Sequence, residues 1–148
     1  MKRTYLFPLI IALVVGPLIG YIVYNGIINR TQISEEKLIF PPILSMRQNE
    51  GDSSYWLIIV KLENQGSSPI RVNKIVLNNV QITSHNFPPK SNELSSNFPD
   101  DGIVINPTLV GSISVYIDSK YGGFQTFQRV QLVITTDVTS YSLNVVLQ

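Results

Sequence analysis

No residue from Thr4 to Asn29 carries a charge, and within that run residues 6–24 (LFPLIIALVVGPLIGYIVY) are almost wholly apolar. A helix of this length crosses about 30 Å of hydrocarbon, the one medium in which such a sequence is at ease. The pattern predicts a single transmembrane helix at the N-terminus. Lys2 and Arg3 precede it and the first acidic residue is Glu35, so the positive-inside bias puts the N-terminus in the cytoplasm and everything beyond about residue 25 outside the cell membrane. Tyr5 at one end, and Tyr21 with Tyr24 at the other, stand where amphipathic rings favour the headgroup layer.

A basic start and an apolar run also describe a cleaved signal peptide, so the cleavage site has to decide. Gly16 has Val14 before it but Pro17 after the cut, while Gly20 and Gly26 have Leu18 and Tyr24 where a small residue is needed. Residues 1–25 are therefore expected to stay attached as cytoplasmic tip and anchor. Within the anchor Pro8 and Pro17 each remove a helical hydrogen bond, which a membrane tolerates where a neighbouring group satisfies the freed carbonyl. Gly16 and Gly20 are spaced for close helix contact. Together these four residues are candidates for packing against a partner membrane helix.

Residues 26–38 are polar and lack a clear period, which reads as a stalk. Asn29 opens an Asn-Arg-Thr triplet that fits the N-glycosylation acceptor pattern. From residue 39 to 148 strand follows strand, with turn residues at short intervals and no sustained helical period. Trp56, Ile58, Val60 and Leu62 form one face of a largely apolar strand suited to the centre of a sheet. Ile113, Val115 and Ile117, then Val130, Leu132 and Ile134, then Tyr141, Leu143, Val145 and Leu147 each supply one apolar face. Asn78-Asn79 supplies a tight turn, and Asn73-Lys74 interrupts the preceding strand. With strands near 37–40 and 103–105 the count reaches about seven, the spacing of an all-β, immunoglobulin-like sandwich. Residues 84–102 form the longest irregular stretch and repeat Asn-Phe-Pro at 86–88 and 97–99. Function on such a scaffold is expected in a long loop.

Chemistry is sparse. Charged residues make up 14% of the chain against about 25% in ordinary soluble domains, and the net charge is +1, which leaves no positive field for nucleic acid. There is no Cys, so thiolate chemistry, disulfides and Cys-ligated metals are excluded. His85 is the sole imidazole and has no evident base-orienting partner in the sequence, so it reads as a surface residue. Asp100-Asp101-Gly102 reads as a turn rather than a calcium loop, and Tyr121-Gly122-Gly123-Phe124 as a hairpin connection. Trp56 reads as core. No catalytic residue and no metal ligand is expected in this chain, and the whole describes a partner-binding subunit.

The short Met-Lys-Arg start, the anchor LFPLIIALVVGPLIGYIVYNGI, the low-charge β-domain and the segment DSKYGGFQTFQRVQLVIT resemble the small, DoxA-type subunit of archaeal thiosulfate:quinone oxidoreductase. That resemblance implies a polytopic, DoxD-type membrane partner and a complex that oxidises thiosulfate to tetrathionate. It implies quinone as the electron acceptor of the complex, and carries no catalytic residue onto this sequence. The segment LENQGSSPIRVNKIVLNN resembles the outer domains of archaellum accessory proteins and type IV pilins, which implies the alternative of a non-enzymatic protein bound to filaments or a surface layer. The absence of a processing site after a longer basic leader, and the two membrane prolines, favour the oxidoreductase subunit.

Overall fold

The computed structural model describes residues 36–148. Ten strands and one short 3-10 turn make up this region: β1 (Leu38–Ile39), β2 (Leu44–Glu50), β3 (Ser53–Asn64), β4 (Ile70–Leu77), β5 (Val80–Gln81), β6 (Leu94–Ser96), β7 (Ile103–Ile105), β8 (Val110–Asp118), β9 (Arg129–Thr136) and β10 (Ser140–Val146). They pair antiparallel in two five-stranded sheets. In the first, β3 lies between β8 and the edge formed by β1 and β2, and β6 closes the other side of β8; in the second the order is β10-β9-β4-β5, with β7 also on β4. Among the described residues no helix is long and apolar enough to cross a membrane. The expected anchor, with Pro8, Gly16, Pro17 and Gly20, and the acceptor Asn29, lies outside the described residues.

The alternating faces read from the sequence meet between the sheets. Ile58, Val60, Leu62, Ile113, Val115 and Ile117 of the first sheet, and Val72, Ile75, Leu132 and Ile134 of the second, are essentially free of solvent and belong to one core. Trp56 joins it at 3% exposure. Each such side chain stabilises the fold by about 1.5–3 kcal/mol, which is why two half-apolar sheets close on each other. The Asn78-Asn79 turn is present, both residues having positive φ (44° and 69°), the twist a tight hairpin needs. The interruption expected at Asn73-Lys74 takes the form of a bulge: the register shifts between Val72 and Lys74, and β4 continues past it.

Strands β2 and β6 fall where none was expected, and each has a physical reason. Ile39 faces Glu63 and Leu44 faces Ile59, so four residues, Phe40 to Ile43, stand opposite three. Pro41-Pro42 cannot donate ladder bonds, and the extra residue makes the edge strand bulge there. One inserted residue reverses the facing of everything after it. Leu38 points into the core, while beyond the bulge Leu44 points outward at 50% exposure, and Ser45 and Arg47 take the face of Ile58 and Trp56, Arg47 staying exposed at the edge. The second addition is β6, which turns part of the 84–102 stretch into the edge of the first sheet. A further correction concerns Tyr121-Gly122-Gly123-Phe124: β8 and β9 belong to different sheets, so this segment is a crossover through a 3-10 turn at Tyr121–Gly123 and not a hairpin connection.

The strand directions gather the connections at two ends. At the end where the described chain enters, beside Glu36 and Lys37, lie the loops 65–69, 106–109 and 137–139. The far end carries the 51–52 turn, the 119–128 crossover and Gln148.

Candidate functional site

The 84–102 stretch is less free than its composition suggests. Ser84 bridges to Ser95, the Ser96 N–H donates to the Ser84 carbonyl (2.8 Å), and the Ser95 hydroxyl donates to the Asn86 carbonyl (2.8 Å). All three residues of β6 are buried. Glu93 gathers the rest of the loop: its carboxylate accepts from the Ser84 hydroxyl (2.6 Å), from Asn86 Nδ2 (2.8 Å) and from the Lys90 N–H (2.6 Å). Burial pushes the Glu93 carboxyl up, but the bonds from Ser84, Lys90 and Asn86 and the Lys90 charge outweigh it and hold it below its ordinary value. Asp118, 5% exposed, ties the loop to the far end by accepting from the N–H groups of Asn92 (2.7 Å) and Lys120 (3.0 Å).

His85 has a partner after all, fifteen residues further on. Its Nε2 lies 3.0 Å from Asp100 Oδ1 and its Nδ1 3.4 Å from the Ser96 carbonyl. Both neighbours accept hydrogen bonds, so the doubly protonated ring satisfies both at once. The bond to Asp100 is the main reason that the His85 pKa is raised; burial opposes it, and the Ser96 carbonyl and the Asp100 charge add to it. In this geometry neither ring nitrogen faces a hydroxyl, and the nearest one in sequence, on Ser84, is committed to Glu93. The pair links the two ends of the 84–102 stretch. Asp100 and Asp101 form the expected turn, closed by the Gly102 N–H on the Pro99 carbonyl (3.0 Å). Among the described residues there is no group of three or more His, Cys, Asp or Glu placed to hold a metal ion.

The two Asn-Phe-Pro repeats have opposite fates. Phe98 is buried at 5% exposure, whereas Phe87 lies on the outer face of the first sheet at 57%. There Phe87 packs on Tyr116 (ring centroids 4.8 Å) and edge-on to Tyr55 (6.1 Å), and the Tyr55 hydroxyl donates to Glu50 (3.3 Å). Burial, then the Glu50 charge, raise the Tyr55 pKa. The three rings make an apolar platform that the sequence did not announce, because Tyr55, Phe87 and Tyr116 come from three separate segments.

A groove of about 540 Å³ runs between Phe40–Ser45 and Ser142–Gln148, where the edges of the two sheets part. Phe40, which lines it, packs on Tyr141 (ring centroids 5.0 Å). Among the described residues β2 pairs only with β3 and β10 only with β9, so one side of each keeps free backbone groups. Sequence reasoning did not find this groove, since it depends on the Pro41-Pro42 bulge.

No protein-family model and no curated protein matches this chain. Among solved structures it is similar to the copper-bound PCuAC domain from PmoF2, with a TM-score of 0.49 and 8% identity, covering 76% of this chain and 92% of that one.

Proposed function

We propose that this chain is a single-pass, membrane-anchored accessory subunit whose outer domain, an immunoglobulin-like sandwich, serves an assembly and leaves chemistry to its partner. The observation that carries the reading is the uncharged, apolar stretch at 6–24 joined to an all-β domain whose one imidazole is tied between Asp100 and Ser96. Sheet switching between consecutive strands, at β3 to β4, β5 to β6, β6 to β7, β7 to β8 and β8 to β9, supports the immunoglobulin-like assignment. The resemblance in sequence makes thiosulfate:quinone oxidoreductase the candidate assembly, with a polytopic DoxD-type subunit as partner and quinone as acceptor of the complex; no residue of the described domain is assigned to quinone.

Affinity purification of the full chain from native membranes tests this. The expected eluate holds a polytopic membrane protein and oxidises thiosulfate with an artificial dye, and replacing both Gly16 and Gly20 with Leu lowers the partner yield by holding the helices apart. Filament or surface-layer proteins in place of that partner would overturn the oxidoreductase assignment in favour of a non-enzymatic surface role.

A further inference from the structure

A strand at the edge of a sheet offers unpaired N–H and C=O groups to any other extended chain, and most edges of this sandwich are blunted against that. The β1–β2 edge is broken by Pro41-Pro42 and carries Arg47 and Glu50. β5 has two residues and β7 three. β6 also has three, and Ser84 covers its outer side, bridging to Ser95 and accepting from the Ser96 N–H. Among the described residues β10 is the exception. Its seven residues, Ser140–Val146, run unbroken without Pro or Gly, and residues 138–148 carry no charged side chain.

The hairpin with β9 fixes which backbone groups of β10 are spare. The Leu147 N–H donates to the Gln128 carbonyl (2.9 Å) and the Thr136 N–H to the Thr139 carbonyl (2.8 Å), both in the register that sets Leu143 opposite Leu132. Odd-numbered residues of β10 therefore turn their backbone groups toward β9, and Ser140, Ser142, Asn144 and Val146 turn theirs away. All four of those side chains are exposed. A strand that completes this edge has to be extended, uncharged and unbroken over the same length, with spare groups at alternate positions. β10 itself meets each requirement. Laid antiparallel on a second copy about a two-fold axis at Leu143, it opposes Ser140 to Val146 and Ser142 to Asn144, so every spare residue of both strands falls in a hydrogen-bonded pair. An axis at Ser142 or Asn144 would leave one end of each strand opposite a residue outside β10. No like charges face each other across this ladder. The added strand also runs along the groove between Phe40–Ser45 and Ser142–Gln148, with the half-buried Leu143 beside the axis.

We infer that β10 is a docking edge for a second copy of this chain, the two copies joining antiparallel through Ser140–Val146 so that their five-stranded sheets become one continuous sheet. This goes beyond the anchored reading and does not depend on it, since the ladder is built from β10 alone. The natural chain has no Cys, so Leu143→Cys places a single thiol on the axis, opposite its counterpart at a Cα separation of about 4.5 Å, within disulfide range. The full chain is oxidised mildly in micelles, with Trp56 emission as the check of folding. Leu143→Cys is expected to give a disulfide-linked dimer at least about tenfold faster than Leu44→Cys, an exposed position on the other sheet. Adding Ser142→Lys with Asn144→Lys sets like charges opposite each other and is expected to slow linking about fivefold or more, whereas Ser142→Lys with Asn144→Glu restores it. If loss of Leu143 unfolds the domain, the exposed positions serve instead. Chains carrying Ser142→Cys are expected to link to chains carrying Asn144→Cys, about 5.5 Å away, while neither kind links to itself across more than about 7 Å. Equal rates at 143 and 44, indifference to the Lys pair, or self-linking of Ser142→Cys as fast as in the mixture overturns the inference. Linking of Leu143→Cys to a different protein in native membranes, with none between purified copies, assigns the edge to that partner and also overturns it.

Discussion

Asn64 is the residue whose loss should be felt most sharply. It is fully buried at the end of β3, and its amide joins three segments: Nδ2 donates to the carbonyls of Ser68 and Ile105 (both 2.8 Å), and Oδ1 accepts from the Gly66 N–H (2.9 Å). Its backbone adds bonds to Leu109 and Thr108 (3.1 and 2.8 Å), so the loops 65–69 and 106–109 hang on one position. In Asn64→Ala the buried Ile105 carbonyl loses its side-chain donor, costing about 2 kcal/mol, and the two part-buried partners cost about 0.5–1 kcal/mol each. The total, about 3–4 kcal/mol, is a large fraction of the 5–15 kcal/mol that holds an ordinary domain together, and corresponds to a fall in Tm of roughly 12–16 °C. Asn64→Asp discriminates between this account and simple loss of volume. It keeps the acceptor for Gly66 but turns an acceptor toward two carbonyls, so at neutral pH it should be worse than Ala despite its better fit. Those carbonyls and burial raise the carboxyl pKa in the folded state. The Asp variant is thus least harmed below the unfolded carboxyl pKa of about 3.9 and loses stability as pH rises through the raised value. The assay is urea unfolding of the full chain in micelles, read by Trp56, which is 3% exposed when folded. An Ala variant within about 1 kcal/mol of the natural protein, or an Asp variant no worse than Ala at neutral pH, would refute the reasoning.

Three further outcomes follow from geometry already described. The Arg47 guanidinium lies 5.5 Å from the Trp56 ring centroid, so Arg47→Ala should shift Trp56 emission to the red and cost about 0.5–1 kcal/mol; unchanged emission would mean that Arg47 does not shield the ring. The sole His is expected to titrate above 6.5 by NMR, and Asp100→Asn to bring the midpoint down. Because its folded pKa is raised, its contribution is complete below about 6.5 and fades as pH rises through the raised midpoint, so an Asp100→Asn midpoint equal to the natural one would count against the pair. Gly102 has φ of 80° and a Cβ there would collide with the Val72 carbonyl, so Gly102→Ala should cost at least about 1–3 kcal/mol in the same urea assay, and a neutral result would show that this turn can move away from β4.

What the sequence disclosed was whatever a period of two can carry. Ile113, Val115 and Ile117, and Val130, Leu132 and Ile134, point to the core because no insertion disturbs their strands. β2 escaped for the opposite reason. Leu44 and Met46 alternate with Ser45 and Arg47 as a buried strand should, yet the extra residue at Pro41-Pro42 turns the apolar set outward, and only the pairing with β3 reveals the shift. β6 escaped because Leu94-Ser95-Ser96 is too short to show any period and is buried by its place beside β8. The partnership of His85 with Asp100 was hidden by the turn that folds residue 100 back over residue 85. The platform of Tyr55, Phe87 and Tyr116 required knowing which strands are neighbours, which is information about the whole fold and not about any window of sequence.

The edge on which the chain enters has a mechanical consequence. β1 begins at the entry end and runs inward along β3, and β2 continues on the same partner through seven residue pairs. Antiparallel ladder bonds lie across the strands. Tension applied at Glu36 and directed away from the sandwich therefore acts along the strand axis and strains the rungs together, whereas a sideways tug would part them one after another. The strand that receives the load, β3, is itself gripped on its other side by β8, so a pull at Glu36 is delivered to the middle of the first sheet.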